Sequence, residues 1–457
     1  MSSLLRLPTE LILDILSFFN PVEDTADLLS LCRVSRKLYA FAQPILYDQF
    51  SEGSYCPDCH DPDSSLDSRG PLMYFTRTII DRPDLGARLR RLLVSTWDWN
   101  QDTFKQWPDA LEPDMVKTLT KGIQQLNTKN KARWLPAVLG RVTSPLVALL
   151  ISQAPNIEYL HMILGQDCLK ALLLLLERVP GDNPGPTYLS KLKTLSIRDN
   201  SGAENGLSLR SLKPILHLPR LEHFSITHCV GNHEDDIPFD MEPASINISF
   251  MSFWDSSISA KCLATLMKAF KSLRTFIYHA SNHLPYEQFE ASEVEDIFSS
   301  QRLNIEVIHL ELSADPDNMD WDEYPKYESF ASFENLTHLD VEQGPWSSTV
   351  EIPSSLEYLA IRNCEYPIFD LMANIAKQGG MSDSQLGDVY IKPKGAFCGG
   401  LLGLLPSLSL EEVSSNPVLK SVFKRACRRL SRILEESGVF AFMIDCEIWE
   451  LYVEGEL

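Results

Sequence analysis

A six-residue pattern restricts how this chain can fold more than any other feature. It reads apolar, two residues, apolar, one residue, apolar, and it returns ten times from residue 89 onward. The copies are Leu89/Leu92/Val94, Ile157/Leu160/Met162, Leu192/Leu195/Ile197, Leu221/Phe224/Ile226, Ile248/Met251/Phe253, Leu273/Phe276/Tyr278, Ile305/Ile308/Leu310, Leu336/Leu339/Val341, Leu356/Leu359/Ile361 and Leu386/Val389/Ile391. From the second copy on, first positions lie 35, 29, 27, 25, 32, 31, 20 and 30 residues apart. Apolar residues at alternate positions describe a strand with one face turned to a core. Several intervals carry helical spacing instead. Ala260–Lys271 places Leu263, Leu266, Met267 and Phe270 on one face, Ile368–Lys377 does so with Leu371, Met372 and Ile375, and Cys168–Val179 is rich in leucine. Strands separated by helices pair in parallel, because a parallel pair needs a long crossover between its members.

This pattern resembles a leucine-rich repeat, whose period is about 20–29 residues and whose copies stack strand on strand. Asn200, Cys229 and Cys364 stand three residues past the last apolar position, where such repeats turn the chain. The resemblance implies an α/β solenoid with a parallel sheet inside a curve and helices outside. The 68 residues between Leu89 and Ile157 have helical character at 113–126 and 137–152, which predicts a degenerate repeat or an inserted helical pair. Asn416 and Pro417 start a final helix running to Ser437, and a strand over Val439–Asp445 closes the stack, since terminal repeats must cover an open core. Strand alternation sends the second, fourth and sixth residues after each first apolar position to the inner face. The expected target-binding residues there are Tyr159, His161, His223, Phe250, Trp254, Ile277, His309, Asp340, Tyr358 and Tyr390. Phe250 and Trp254 beside Ile277 would make an apolar spot for a partner's anchor.

The first forty-seven residues differ. Pro8 suits the first turn of a helix, and Leu11, Ile12, Ile15, Leu16 and Phe19 follow at helical spacing until Pro21. Asp24 or Thr25 can cap a second helix with Leu28, Leu29 and Leu31. A third carries Val34, Leu38 and Phe41 and is expected to stop before Pro44, because the residue before a proline avoids helical geometry. So short a segment buries its apolar surface poorly, and the remainder is an exposed apolar patch of the kind that marks a binding surface. The Leu7-Pro8-x-Glu10 start, the Leu28-Leu29-x-Leu31 centre, the Val34-Ser35-x-x-Leu38 step and the closing Leu46-Tyr47 resemble an F-box over residues 5–48. The F-box docks on the adaptor subunit of SCF ubiquitin ligases. By that resemblance, Leu7, Pro8, Ile12, Ile15, Leu16, Leu28, Val34, Leu38, Leu46 and Tyr47 face the adaptor or support the face that does. The domain organisation is then an F-box over 1–50, a linker over 51–85, and a repeat domain over 86–457.

Charge and composition narrow the partners. A net charge of −21 gives no bulk attraction to nucleic acid or anionic lipid. Glu10 and Asp14 interrupt the only candidate for an export signal, and no apolar run approaches membrane-spanning length. The expected location is cytoplasm or nucleus, with the ten cysteines reduced. Between Glu287 and Glu334 fourteen Asp or Glu face only Arg302 and Lys326, with Trp321, Tyr324 and Tyr327 interspersed. That block reads as a solvated loop, or as a patch for a basic partner with the aromatics as anchors.

Little here carries bond chemistry. Cys56-Pro57-Asp58-Cys59-His60 has the spacing of a haem-attachment motif, but it lies in a Ser-, Pro-, Asp- and Gly-rich stretch and lacks the further cysteine pair of a zinc ribbon. It reads as surface loop, with a small metal clip the lesser alternative. His279, His309 and His338 could meet on neighbouring strands, although polar residues on a solvent-facing sheet is the plainer reading. Lys424, Arg425, Arg428, Arg429 and Arg432 make a basic stripe on the last helix, read as a solvated face. Gly399, Gly400 and Gly403 lack the strand–turn–helix setting of a nucleotide loop.

The expectation is a non-enzymatic substrate receptor of an SCF-type ubiquitin ligase. It would take the adaptor and through it a cullin, and on its repeats a target protein, with no cofactor or resident metal, no nucleic acid and no membrane. Two rivals stand beside it: a repeat scaffold that binds the adaptor outside a ligase, and a metal or redox protein built on Cys56, Cys59 and His60.

Overall fold

A computed structural model describes residues 7–51 except 22, 69–95, 111–128, 131–139, 143–164, 168–176, 188–199, 206–231, 240–284, 288–312, 324–347, 349–364, 369–380, 384–393 and 441–444, together with residues 421, 425, 428, 429, 432 and 433. Compactness divides the chain into two units, Met1–Ala203 with Leu207–Ile226, and Glu204–Gly206 with Thr227–Leu457.

The first unit opens with three helices, α1 (Thr9–Leu16), α2 (Thr25–Val34) and α3 (Arg36–Leu46). Then come β1 (Gln49–Ser51), α4 (Arg69–Asp81), α5 (Pro83–Gly86), β2 (Arg91–Ser95), α6 (Pro113–Gln125), α7 (Lys131–Leu139), α8 (Thr143–Gln153), β3 (Tyr159–Leu164), α9 (Cys168–Leu176), β4 (Thr194–Asp199), β5 (Leu207–Ser208), α10 (Lys213–Leu216) and β6 (His223–Thr227). Strands β1, β2, β3, β4 and β6 pair in that order, all parallel. Leu92, Leu160, Leu195 and Phe224 align across neighbouring strands and are fully buried. The interval expected to hold a degenerate repeat or a helical pair shows three helices, α6 to α8, among its described residues. Leu146 to Ile151 of α8 are all buried, as expected of a helix apolar all round.

The second unit contains β7 (Cys229–Gly231), β8 (Phe250–Ile258), α11 (Ala260–Ala269), β9 (Thr275–Ala280), α12 (Val294–Ile297), β10 (Val307–Glu311), β11 (His338–Glu342), β12 (Tyr358–Cys364), α13 (Phe369–Gly379), β13 (Asp388–Pro393) and β14 (Ala441–Ile444). Strands β8 to β14 pair sequentially and in parallel, and β7 also pairs with β8. Phe253, Phe276, Phe298 and Tyr278 fill the core, with the Phe276 and Phe298 rings edge to face at 5.0 Å. Each such pair adds about 0.5–1.5 kcal/mol beyond its area. The protein is therefore α/β, with extensive parallel sheet and an N-terminal helical module. Among the described residues no helix is long and apolar enough to cross a membrane.

Four expectations need correction. First, the span taken as linker contains α4, because Leu72, Met73, Thr76, Ile79 and Ile80 recur at helical spacing and are all buried. Second, α3 runs through Pro44 to Leu46. Pro44 lies in the last turn, where the chain recovers at once through Tyr47 N–H donating to Gln43 O at 3.1 Å. Third, no helix lies among the described residues between β10 and β12. Tyr327, Phe330, Phe333 and Trp346 are buried there and form that side of the core instead, with the Phe330 and Trp346 rings stacked at 6.0 Å. Fourth, this removes Tyr327 from the expected anchors of the acidic block. Tyr324 is half-buried, and Trp321 lies outside the described residues. The expected final helix is described only at isolated positions, each helical, and the expected final strand is β14. Cys56, Cys59, His60, Asn200 and the glycines near 400 lie outside the described residues.

Candidate interaction surfaces

In the N-terminal module, Ile12, Leu16 and Leu38 form a buried cluster, against which Leu7, Phe19, Leu31, Phe41 and Ile45 pack. Leu28 is also fully buried. Ser35, extended between α2 and α3, caps α3 by accepting from Leu38 N–H at 3.1 Å. Its hydroxyl satisfies one of the four free donors at a helix start. The expected adaptor-facing residues thus divide. Ile12, Leu16, Leu28 and Leu38 are core and only support a surface. Leu7 and Leu46 are half-buried. Tyr47 is half-buried too and turns to the following domain, stacking on Phe75 of α4 at 5.6 Å. Burial raises its phenol pKa. Pro8, Ile15 and Val34 are exposed.

Most of what the module shows to solvent lies outside the ten residues expected to face the adaptor. Leu11, Leu13, Phe18, Leu29 and Tyr39 are exposed beside Ile15 and Val34, and Phe18 reaches 87% exposure. Seven large apolar side chains within residues 11–39 leave water-facing area that the module's own packing does not need. Such a surface fits a partner. Helical spacing identifies apolar stripes but does not say which stripe the other two helices cover, and that is why these five were not singled out.

The second candidate is, in each unit taken by itself, the sheet face away from the core. Its register is the one the repeat pattern implies. Arg91, Tyr159, Thr194 and His223 form one row in the first unit. Phe250, Thr275, Val307, His338, Tyr358 and Asp388 form one row in the second. Of the expected target-binding residues, Tyr159, Phe250, Ile277, His309, Asp340, Tyr358 and Tyr390 are half-buried, and His223 and Trp254 are exposed. His161 is a correction: it is 6% exposed, and burial lowers its pKa. Its folded pKa lies below the unfolded value of about 6.5. The neutral imidazole therefore contributes stability that is complete above about pH 6.5 and is lost as pH falls through the lower folded value. His161→Phe is expected to flatten that part of the curve, as measured by urea denaturation from pH 7.5 to 4.5. An unchanged pH dependence would contradict it.

Trp254 is a second correction. It does not join Phe250 and Ile277 in an apolar spot but stacks on His279, ring centroids 4.0 Å apart. The register of β8 against β9 shifts between Phe253 and Ser256. Asp255, inside that shift, has φ +47°. The same device recurs. His228, Asp255 and Asn363 all adopt positive φ, each directly before Cys229, Ser256 or Cys364. Those three stand three residues past the last apolar position of their repeats. Asn, Asp and His enter this region more readily than other residues with a Cβ. The side chains then lock the turns: His228 Nε2 lies 2.6 Å from Asp255 Oδ2, and Asn363 donates to Glu342 Oε1 at 2.8 Å. Cys364 fulfils the expected turn role by reaching Ile361 O at 3.4 Å, and burial pushes its thiol pKa up.

Glu342 also departs from the expected open row. It is fully buried, and its other oxygen accepts Leu312 N–H at 2.7 Å. Glu342→Ala would strand that buried donor and release Asn363. A loss of about 2–4 kcal/mol in unfolding free energy is expected, readable as a lower urea midpoint. A midpoint unchanged from wild type would show the pair to be dispensable.

The charged part of this face is ordered. Arg362 clasps Asp340 through Nε at 2.7 and 2.9 Å and through Nη2 at 2.5 Å. Such a fork is stronger and more directional than a single bond. Asp340 in turn lies 3.4 Å from His309 Nδ1. Burial outweighs that carboxylate and takes His309 down to about 4, so at neutral pH the ring is uncharged and the contact is not an ion pair. His279 Nδ1 lies 2.9 Å from Glu311 Oε2, and this hydrogen bond holds the Glu311 pKa below its ordinary value. His279 and His309 therefore meet, as their spacing suggested. His338 does not join them. It falls in the row of Val307 and packs beside Tyr358 at 5.6 Å.

Comparison with known families gives one match: residues 4–52 fit the F-box-like family model. No curated protein matches the chain. The matched segment spans α1 to α3 and β1, the segment that carries the exposed apolar side chains.

Proposed function

We propose that this chain is the target-recognition subunit of an SCF-type ubiquitin ligase. An F-box-like domain supports an adaptor-binding, ubiquitin-ligase-related role, and the SCF adaptor is the partner such domains typically take. In this role the chain holds a cullin through that adaptor and a target protein on the sheet. The exposed apolar surface of α1 and α2 is the observation that carries it, because Phe18, Ile15 and Val34 have no role in the module's own core. The parallel sheet serves as an irregular leucine-rich-repeat surface. Its open face offers aromatic, histidine and carboxylate groups, and exposed Asp388 and half-buried Glu311 favour a target with basic residues. In this reading the chain performs no bond chemistry. It holds a lysine near a charged ubiquitin carrier and so turns an encounter between free proteins into a nearly unimolecular step. Such a receptor works in the cytoplasm or nucleus.

The deciding experiment mixes the full chain with purified adaptor and cullin and resolves the products by size-exclusion chromatography. A three-component complex is expected. A stable complex with adaptor that refuses the cullin would overturn the ligase reading in favour of a scaffold role. No complex with adaptor would overturn both.

A further inference from the structure

On the open face of the second unit, two histidines share a feature that the hydrogen-bond pattern leaves unexplained. His279 pairs across β9 and β10 with Glu311, and His309 lies two residues earlier on β10. Their ring centroids are 4.6 Å apart. Each ring meets a carboxylate at Nδ1, Glu311 for His279 and Asp340 for His309. Each leaves Nε2 buried and without a hydrogen-bond partner among the described residues. Buried polar atoms are nearly always satisfied, and each exception calls for an occupant or a reason. A histidine turned by a carboxylate on one nitrogen, with the other left open, is arranged as metal-binding histidines are. One donor atom from each of His279, His309 and Glu311 lies within 4.8 Å of the other two.

We propose that His279, His309 and Glu311 bind a divalent transition-metal ion of the zinc class. Two imidazoles with one carboxylate suit zinc, whereas calcium and magnesium prefer oxygen donors throughout. Glu311 has two oxygens, so it can steer His279 with one and ligate with the other. Trp254 stacks over His279 and limits water on that side. Arg362, a cation whose charge reaches His309 and Glu311, is engaged by both oxygens of Asp340 and opposes an incoming ion less than a free guanidinium would. Three protein donors leave the remaining position to water. This site does not depend on the adaptor reading.

The reference for the test is the full chain carrying Cys56→Ser and Cys59→Ser, so that the cysteine pair cannot supply a competing site. Calorimetric titration with zinc chloride at pH 7.5 is expected to show one ion per chain, with micromolar or tighter affinity. Cobalt in place of zinc should give a visible absorption band of a nitrogen- and oxygen-ligated ion. The His279→Ala, His309→Ala double variant should lose both signals. Asp340→Asn, which unsettles His309 and loosens Arg362 beside the site, should weaken zinc by about ten- to a hundredfold. Zinc should raise the Tm of the reference and leave that of the double variant unmoved, which separates loss of the site from loss of the fold. Undiminished binding by a folded double variant, or no binding to the reference at about 100 μM zinc, would overturn the proposal.

Discussion

Ile15→Asp combined with Val34→Asp is expected to abolish capture of an SCF adaptor while the full chain melts as wild type. Each side chain is 42% exposed. Replacing either costs the folded protein little, since helix propensities of ordinary residues differ by only about 0.7 kcal/mol at most. The cost falls on the complex. A carboxylate pressed into an apolar interface without a partner loses its hydration and gains nothing. Interface anchors carry about 2 kcal/mol or more apiece, so two such losses lower affinity on the order of a thousandfold. Surface plasmon resonance against immobilised adaptor, with a melting curve on the same preparation, reads both quantities. Affinity within about threefold of wild type would show that the adaptor docks elsewhere.

Leu16→Ala with Leu28→Ala is expected to do something different: to melt the module itself. Leu16 is 2% exposed and Leu28 fully buried. Each truncation leaves a cavity and costs about 2–5 kcal/mol. Three short helices around a cluster as small as Ile12, Leu16 and Leu38 hold no such reserve, because domains of this size bury little surface. Hydrogen exchange should show amides of α1, α2 and α3 losing protection while those of β9 and β10 keep theirs. Adaptor capture would vanish here as well, so this pair alone cannot prove an interface. Together the two variants separate surface from core. Wild-type exchange across α1 in the leucine variant would show that the cluster is not what holds the module together.

The repeat strands were legible because one rule governs them. Leu195 and Ile197, or Leu339 and Val341, alternate with polar residues, and a period of two allows one register. From that register the rows of the open face followed, including the meeting of His279 with His309. What stayed hidden depends on neighbours the pattern does not encode. α4 adjoins a stretch rich in Ser, Asp and Gly, and its buried Ile79 and Ile80 read as helix only once the surfaces that cover them are known. Glu342 has the position of an open-face residue, yet two donors from adjoining turns draw it inside. His228, Asp255 and Asn363 turn the chain where glycine would be the usual signal, so the shift that carries Trp254 onto His279 left no mark in composition. In the N-terminal module the resemblance named a surface but mixed its floor with its top. Leu16 and Leu28 are the floor. Phe18 and Leu11, exposed to water, are the top.

Only Tyr47 and Asp48 separate α3 from β1. Asp48 O accepts both Arg90 and Arg91 N–H, at 2.8 and 3.1 Å, and Phe75 stacks on Phe50 at 4.2 Å as well as on Tyr47. The helices are thus welded to the first strands, with no swivel at the joint. Whatever docks on α1 and α2 is carried at a constant bearing from Arg91 and Tyr159, as a tool is by a stiff arm. A loosely leashed receptor samples many lysines of its cargo. Under the proposed receptor role, a target held against Arg91 and Tyr159 would sweep only a narrow arc about the adaptor, and lysines outside that arc would be bound without being marked.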